Sequence, residues 1–406
     1  MSELPSNWIT RRLGDVADVI MGQSPPGSTY NKSGDGVPFF QGKAEFGSKH
    51  PTVRQWTTAG TKFAKVGDVL MSVRAPVGPT NIADQDCAIG RGLAAIRAGS
   101  RLDQSYLIWY LKHVEASIQS RGKGTTFGAI SGNDLRDTLV NLPPLDEQKR
   151  IVEALDDHLS RLDKALAEVN ASLSKLETEW TSFLTKVFSG NFQGSGYSKW
   201  TFPKLNELVS TPKDIVDGPF GSNLKSSHYV DKGARVVRLQ NIGYGTWVQA
   251  DAFVTNEHAK TLSKHNVRQG DLLFASLMDT RPRVCIAPYL GDDAIVKSDC
   301  IRIRLQDKTV ARWAMLATQT ATASIWANGK VHGLGRGRLG LSAIRDFVVP
   351  MPPLNQLQEI LDFIEIHEVQ TGNLKSACFS ISHEIQTLRK SILSKYFTNE
   401  QAAQSC

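Results

Sequence analysis

The chain is poor in the residues that would tie it together covalently or seat a metal. Its five cysteines, Cys87, Cys285, Cys300, Cys378 and Cys406, are odd in number, widely scattered and without a CxxC pair. That excludes a disulfide framework and a zinc site of ordinary spacing. The nine histidines are equally dispersed, with no HExxH and no other metal-ligand spacing, so no metal is expected. No apolar run approaches the roughly 20 residues of a membrane helix, and the opening MSELPSNW is too polar for a signal peptide. A cytoplasmic protein without membrane attachment is the expectation.

What is present fits a folded protein of more than one domain. The 406 residues exceed what one hydrophobic core usually organises, and 41% hydrophobic with 21% charged residues is an ordinary globular balance. The net charge of +7 is unevenly spread: residues 1–144 carry +4, 145–188 carry −3, 189–353 carry +8 and 354–406 carry −2. Two basic blocks alternate with mildly acidic connectors, a pattern that points to a polyanion bound at two places.

The chain is also one unit written twice. At an offset of 209 residues, Leu135-Arg136-Asp137 falls on Ile344-Arg345-Asp346, Pro143-Pro144-Leu145 on Pro352-Pro353-Leu354, and Leu184, Lys186 and Phe188 on Leu393, Lys395 and Phe397. Upstream the offset shifts, as loops of unequal length require. Val66-Gly67-Asp68-Val69-Leu70 resembles Gln269-Gly270-Asp271-Leu272-Leu273, Asp86-Cys87 resembles Asp299-Cys300, and Trp8 and Leu13 stand opposite Trp200 and Leu205.

Each copy ends in a helix. Asp146 and Asn355 hold the same repeat position, both suit an N-cap, and the paired prolines before them stop the helix from extending backwards. Beyond the first cap, Val152, Leu155, Leu159, Leu162, Leu166, Val169, Leu173, Leu176, Trp180, Phe183 and Val187 alternate steps of 3 and 4, the signature of a coiled-coil seam. In the second copy Ile360, Ile364, His367, Thr371, Leu374, Cys378, Ile381, Ile385, Leu388 and Ile392 keep that rhythm, with His367 and Thr371 as a polar layer. A helix from Leu145 to Phe188 would reach roughly 65 Å. A domain usually has its ends close together, so the second helix should run back beside the first, antiparallel, with the globules at opposite ends about an approximate twofold axis. The expected division is a globule at 1–144, a helix at 145–190, a globule at 191–353 and a helix at 354–398. The fold class is α+β, two mixed α/β globules with curved, partly antiparallel sheets joined by two long coiled-coil helices.

Within the globules several loops combine glycine with basic and amide side chains. The candidates for DNA contact are Gln41, Lys43, Arg74, Arg91, Lys123 and Thr125 in the first copy. In the second they are Arg238, Gln240, Asn241, Arg281, Arg283, Lys330, Arg336 and Arg338. Glycine lets backbone approach a phosphate, Lys and Arg neutralise it, and Arg, Gln and Asn can make bidentate contacts with purine edges. The candidate interface of the helices is Leu155, Leu162, Val169, Leu176 and Phe183 against Ile364, Leu374, Ile381, Leu388 and Ile392.

No catalytic residue is expected. Gly335-Arg336-Gly337-Arg338-Leu339-Gly340 satisfies GxGxxG, but it lacks the preceding buried strand and the acidic residue about twenty positions later that a dinucleotide site requires. Phe192-Gln193-Gly194-Ser195-Gly196 is similar to the AdoMet-binding FxGxG of DNA methyltransferases, yet no NPPY-like tetrapeptide accompanies it, and its position beyond the first long helix suits a linker.

Two globules, two long helices and the pair PPLDEQ and PPLNQL together resemble the specificity subunit of type I restriction-modification systems, over essentially the whole chain. The opening LPSNWITRRLGDVADVIMGQSP, the stretch DGPFGSNLK from Asp217 to Lys225, and the helix ends FLTKVFSG and ILSKYFTN add to it. The second copy departs from the motif at Gln356 and Leu357. The resemblance implies that each globule recognises one half of a split double-stranded DNA target and that the helices set the separation. It further implies that the chain docks two AdoMet-dependent methyltransferase subunits, the outer helix faces being the candidate surface, and that restriction subunits using ATP and Mg can join. It implies no cofactor on this chain. A self-contained DNA methyltransferase would instead bind AdoMet alone, and a structural coiled-coil adaptor would be indifferent to DNA.

Overall fold

The computed structural model describes residues 5–122, 128–190, 199–278, 280–331 and 337–398. Two compact units divide the chain: Met1–Val169 with Phe379–Cys406, and Asn170–Cys378. The division passes through both long helices, which run continuously over Leu145–Phe188 and Leu354–Thr398.

In unit 1 a four-stranded antiparallel sheet has the spatial order Ala17–Met21, Leu93–Ala98, Val69–Ser72, Thr80–Ile82. A second sheet of shorter strands contains Val37–Phe40 lying parallel to Cys87–Ile89. Unit 2 repeats the plan. Its antiparallel sheet is ordered Ile215–Asp217, Cys300–Ile303, Leu272–Ala275, Val284–Ile286, and Ala234–Val237 lies parallel to Ile295–Val296. The strands are rich in Val, Ile, Leu and Phe, and those at the sheet centres are buried on both faces.

This topology corrects one sequence match. Cys87 opens a strand that pairs parallel with Val37–Phe40, whereas Cys300 opens the strand equivalent to Leu93–Ala98. Asp86-Cys87 and Asp299-Cys300 are therefore unlike in place, and the true counterparts of Asp299-Cys300 are Gly92-Leu93. A two-residue identity had outweighed strand order.

The Gly-Asp match has a structural cause. Asp68 takes a two-pronged bond from Arg97, Nε at 2.8 Å and Nη2 at 2.7 Å, and accepts from the Lys65 N–H at 2.8 Å. Asp271 does the same with Arg304, at 2.8 and 2.7 Å, and with the Arg268 N–H at 2.8 Å. Both carboxylates are buried, so removing one strands a guanidinium. Asp68→Ala should cost about 3 kcal/mol, read as a lower denaturation midpoint; a shift within 0.5 kcal/mol would show the pair to be decorative.

The long helices join the cores of both units. In unit 1 Ile151, Leu155 and Leu159 pack with Leu393, Tyr396 and Phe397 around Tyr106 and Leu13. There the helices are antiparallel, since His158 meets Tyr396 and Asp163 pairs with Arg389. In unit 2 Trp180, Leu184 and Phe188 pack with Leu357, Ile360 and Ile364 around Trp313. Phe183 stacks on His367 at 4.2 Å, so the polar layer is an aromatic sandwich completed by Phe363. On the central helix Leu155 is buried, and Leu162, Val169, Leu176 and Phe183 are half-buried.

On the distal helix the seam differs from its expectation. Ile364 is buried and Ile392 half-buried, but Leu374, Ile381 and Leu388 are 55%, 45% and 49% exposed. The half-buried positions are Thr371, Lys375, Cys378, Ser382, Ile385, Arg389 and Ile392. Anchors at the two ends set this rotation: counting back from Tyr396 in steps of 3 and 4 reaches Arg389, Ser382 and Lys375, one residue beyond each leucine or isoleucine.

The departure at PPLNQL is also explained. Gln148, fully buried, donates to the Arg101 and Pro143 carbonyls and accepts from the Asp103 N–H, while Glu147 accepts from the Trp8 indole. Its counterpart Leu357 fills an apolar site instead, so the second helix start is packed rather than hydrogen-bonded.

Candidate nucleic-acid interface

In unit 1 three loops meet at one end of the antiparallel sheet. The turn after Val69–Ser72 is held by the Ser72 hydroxyl donating to the Arg74 carbonyl at 3.0 Å and by the Val73 N–H donating to Gly92 at 2.9 Å. Gly92 is where the loops touch: a Cβ there would lie 2.3 Å from the Gln41 carbonyl oxygen, so any side chain would drive residues 41 and 92 apart. Glu45 accepts from the Gly42 N–H at 3.0 Å and closes the turn that carries Lys43. The Arg91 N–H donates to the Ser24 hydroxyl at 3.2 Å.

These constraints leave an open polar cavity of about 240 Å³, lined among others by Gln41, Lys43, Arg74 and Arg91. All four side chains are exposed, and none has an ion pair or a side-chain hydrogen bond among the described residues. Four candidates drawn from separate stretches of sequence are thus brought together. Lys123 and Thr125 lie outside the described residues.

Unit 2 treats its candidates differently. Asn241 is fully buried: its side-chain oxygen accepts from the Arg238 N–H at 2.8 Å, and its amide donates to Val248 and Ala250 at 3.0 and 2.9 Å. With its amide fully committed to backbone it has none for a base, which corrects its place among the contacts. Arg283 is turned inward, donating to the Leu239 and Leu277 carbonyls at 3.3 Å each. Arg238 donates to the Asp251 carbonyl at 3.0 Å. Arg281 lies over the Tyr244 ring at 4.2 Å and 3.7 Å from Glu177. Gln240 and Lys330 are exposed without a hydrogen bond or ion pair from their side chains among the described residues, and Arg336 lies outside those residues.

Arg338 sits at the sheet end equivalent to the unit 1 cavity. Its Nη2 is 2.9 Å from Asp299 and 3.5 Å from Asp217, and its guanidinium lies 5.4 Å from the Phe220 ring centre. Burial pushes the Asp217 carboxyl up, against the pull of the Gly218 N–H and of Arg338. Sequence reasoning named Arg338 but missed Asp217, Asp299 and Phe220 as its partners. DGPFG was visible as a motif, yet nothing in the sequence brings it to residue 338.

At the unit 1 cavity the available side chains are mainly donors. Among the described residues no three His, Cys, Asp or Glu side chains come together as metal ligands. Burial pushes the Cys87 and Cys285 thiols up to about 12 and Cys300 higher still, which leaves them protonated and inert. No helix among the described residues is long and apolar enough to cross a membrane.

Residues 5–173 match the type I restriction modification DNA specificity domain. Over 182 residues the chain is 41% identical to a putative type I restriction enzyme MjaX specificity subunit of Methanocaldococcus jannaschii, covering 43% of each. It is 21% identical to the EcoBI specificity subunit of Escherichia coli across 98% of this chain and 87% of that one. The chain thus spans less than half of the first relative and most of the second. Among solved structures, the HsdS subunit of Thermoanaerobacter tengcongensis is 51% identical over 39% of each chain, with a TM-score of 0.37.

Proposed function

Because the chain belongs to the specificity subunits of type I restriction-modification systems, we propose that it is a non-catalytic DNA-recognition subunit whose two units each read one half of a bipartite double-stranded target. The observation that carries this reading is the unit 1 cavity, where three cations and an amide stand open with donors unspent among the described residues. Phosphate oxygens and purine edges supply the acceptors such a set lacks. The helices shared by both units hold the half-sites at one spacing. Their outer faces receive two AdoMet-dependent methyltransferase subunits, which restriction subunits using ATP and Mg join. AdoMet, ATP and Mg belong to those partners.

The test uses the full chain co-purified with methyltransferase subunits. Affinity for a selected duplex should fall steeply with salt, because each neutralised phosphate contributes roughly 0.9 to the slope of log K against log salt. One base pair inserted between the half-sites should abolish selection. Binding indifferent to both salt and spacing would refute the reading.

A further inference from the structure

The two units carry their exposed arginines on the same pair of strands, but on opposite members of it. In unit 2 Leu277 is paired antiparallel with Arg338. In unit 1 the equivalent bridge joins Arg74 to Ala129. Strand register makes Arg74 the counterpart of Leu277, since Val69 opposite Ile96 corresponds to Leu272 opposite Ile303. The repeat offset of 209 makes Ala129 the counterpart of Arg338. Residues directly opposed across an antiparallel pair project to the same face. Each unit therefore presents one arginine from the same place in the fold, by a different strand.

Arg338 is also held in one pose. Its Nη2 donates to Asp217 at 3.5 Å and forms an ion pair with Asp299 at 2.9 Å. Asp299 is in turn fixed by its N–H donating to Asp217 at 3.1 Å and by the Ser276 hydroxyl at 3.3 Å. It is the one non-glycine residue at positive φ among the described residues, at 69°. Strain of that kind survives where the surroundings impose it, and it gathers at working sites. No described residue accepts from Arg338 Nη1 or Nε, and its side chain is 43% exposed. One hydrogen of Nη2 is spent on Asp217, which leaves its second hydrogen beside Nε and Nη1.

We propose that Arg74 and Arg338 are equivalent base-reading arginines, each selecting a guanine in one half of the target, and that Asp299 and Asp217 are positioning residues for Arg338. Guanine is the base whose major-groove edge offers two adjacent acceptors, which a guanidinium fork engages together. Either fork of a guanidinium pairs Nη2 with Nε or with Nη1, and the buttress fixes the plane in which the second Nη2 hydrogen is offered, whereas a mobile cation would serve any phosphate equally. The inference rests on the function proposed above and goes further by assigning the readers.

The experiment selects duplexes from a pool randomised at both half-sites, using the full chain co-purified with methyltransferase subunits. Arg338→Gln and Arg338→Lys should each lose a guanine preference of roughly 10- to 100-fold at one position of one half-site, with every other position unchanged. Arg74→Gln should do so in the other half. Asp299→Asn should weaken the preference at the Arg338 position alone, which loss of fold would not do. If the arginines touch phosphate instead, the variants will bind all sequences more weakly, with unchanged consensus and a shallower salt slope, and the inference falls. A wild-type complex that selects no bipartite sequence would instead overturn the function on which it rests.

Discussion

Replacing Lys43, Arg74 and Arg91 together by alanine is expected to lower affinity for a target duplex on the order of 100- to 1000-fold while leaving the melting temperature almost unchanged. The affinity estimate follows from three charge-assisted contacts at about 1.5–3 kcal/mol each, reduced because such losses are not additive. The stability expectation follows from the structure. These side chains are exposed and make no ion pair or side-chain hydrogen bond among the described residues, so their removal breaks no such bond of the folded state. Surface changes of that kind usually stay within ±0.5 kcal/mol. The salt slope should become shallower by roughly two, as Lys43 and Arg91 release phosphates while Arg74 is spent on a base. Fluorescence anisotropy at several salt concentrations, beside a thermal melt, reads all of this. Unaltered affinity would remove the cavity from the interface.

The same substitution in unit 2 has the opposite balance. Arg283→Ala removes a donor from both the Leu239 and Leu277 carbonyls, so it acts on stability before it acts on DNA. Basic loops that look alike in sequence thus divide into supports and contacts, according to whether backbone acceptors draw the side chain inward, as at Arg283, or leave donors to spare, as at Arg338. Asn241 is the clearest case. Its amide meets Val248 and Ala250 through a short loop whose path no local pattern reveals.

The helices were legible because their information is local. A proline pair fixes a start, although Asp146 and Asn355 stand second in their helices rather than at the caps the sequence suggested, and spacing of 3 and 4 fixes a face; the central helix runs over Leu145–Phe188 with that face inward. The distal helix was misread by one residue because its rotation is set by long-range anchors. Hydrophobicity favoured Leu374, Ile381 and Leu388, but Phe397 in one core and Ile364 in the other turn those residues outward. Sheet order was not legible at all, since pairings such as Leu93–Ala98 between Ala17–Met21 and Val69–Ser72 join segments far apart in sequence. The unit 1 cavity falls between these extremes. Its residue types were readable, and their convergence needed the Gly92–Gln41 approach that only the fold supplies.

Phe397→Ala is expected to be the most destabilising single change, by about 4 kcal/mol. The ring is fully buried, with Tyr106, Tyr110 and His113 around it at 5.2, 5.3 and 5.3 Å, the two tyrosines edge-on. Its carbonyl accepts from the Asn141 amide at 3.2 Å, so the same residue ties the helix end to the ribbon formed by Ile9–Arg12 and Leu139–Leu142. Truncation removes a large apolar ring and leaves a cavity walled by tyrosines whose hydroxyls, donating to the Asn141 and Leu139 carbonyls, cannot follow the collapse. Phe188 plays the same part in unit 2, tilted against Trp313 at 4.2 Å, with the Trp313 indole donating to the Pro350 carbonyl at 2.7 Å. If the units hold their helices by equivalent means, Phe188→Ala will cost a similar amount and the two losses will add, since each acts within its own core. Chemical denaturation of both single variants and the double measures this; a loss below 1 kcal/mol for either would show that its helix end is not secured by the ring.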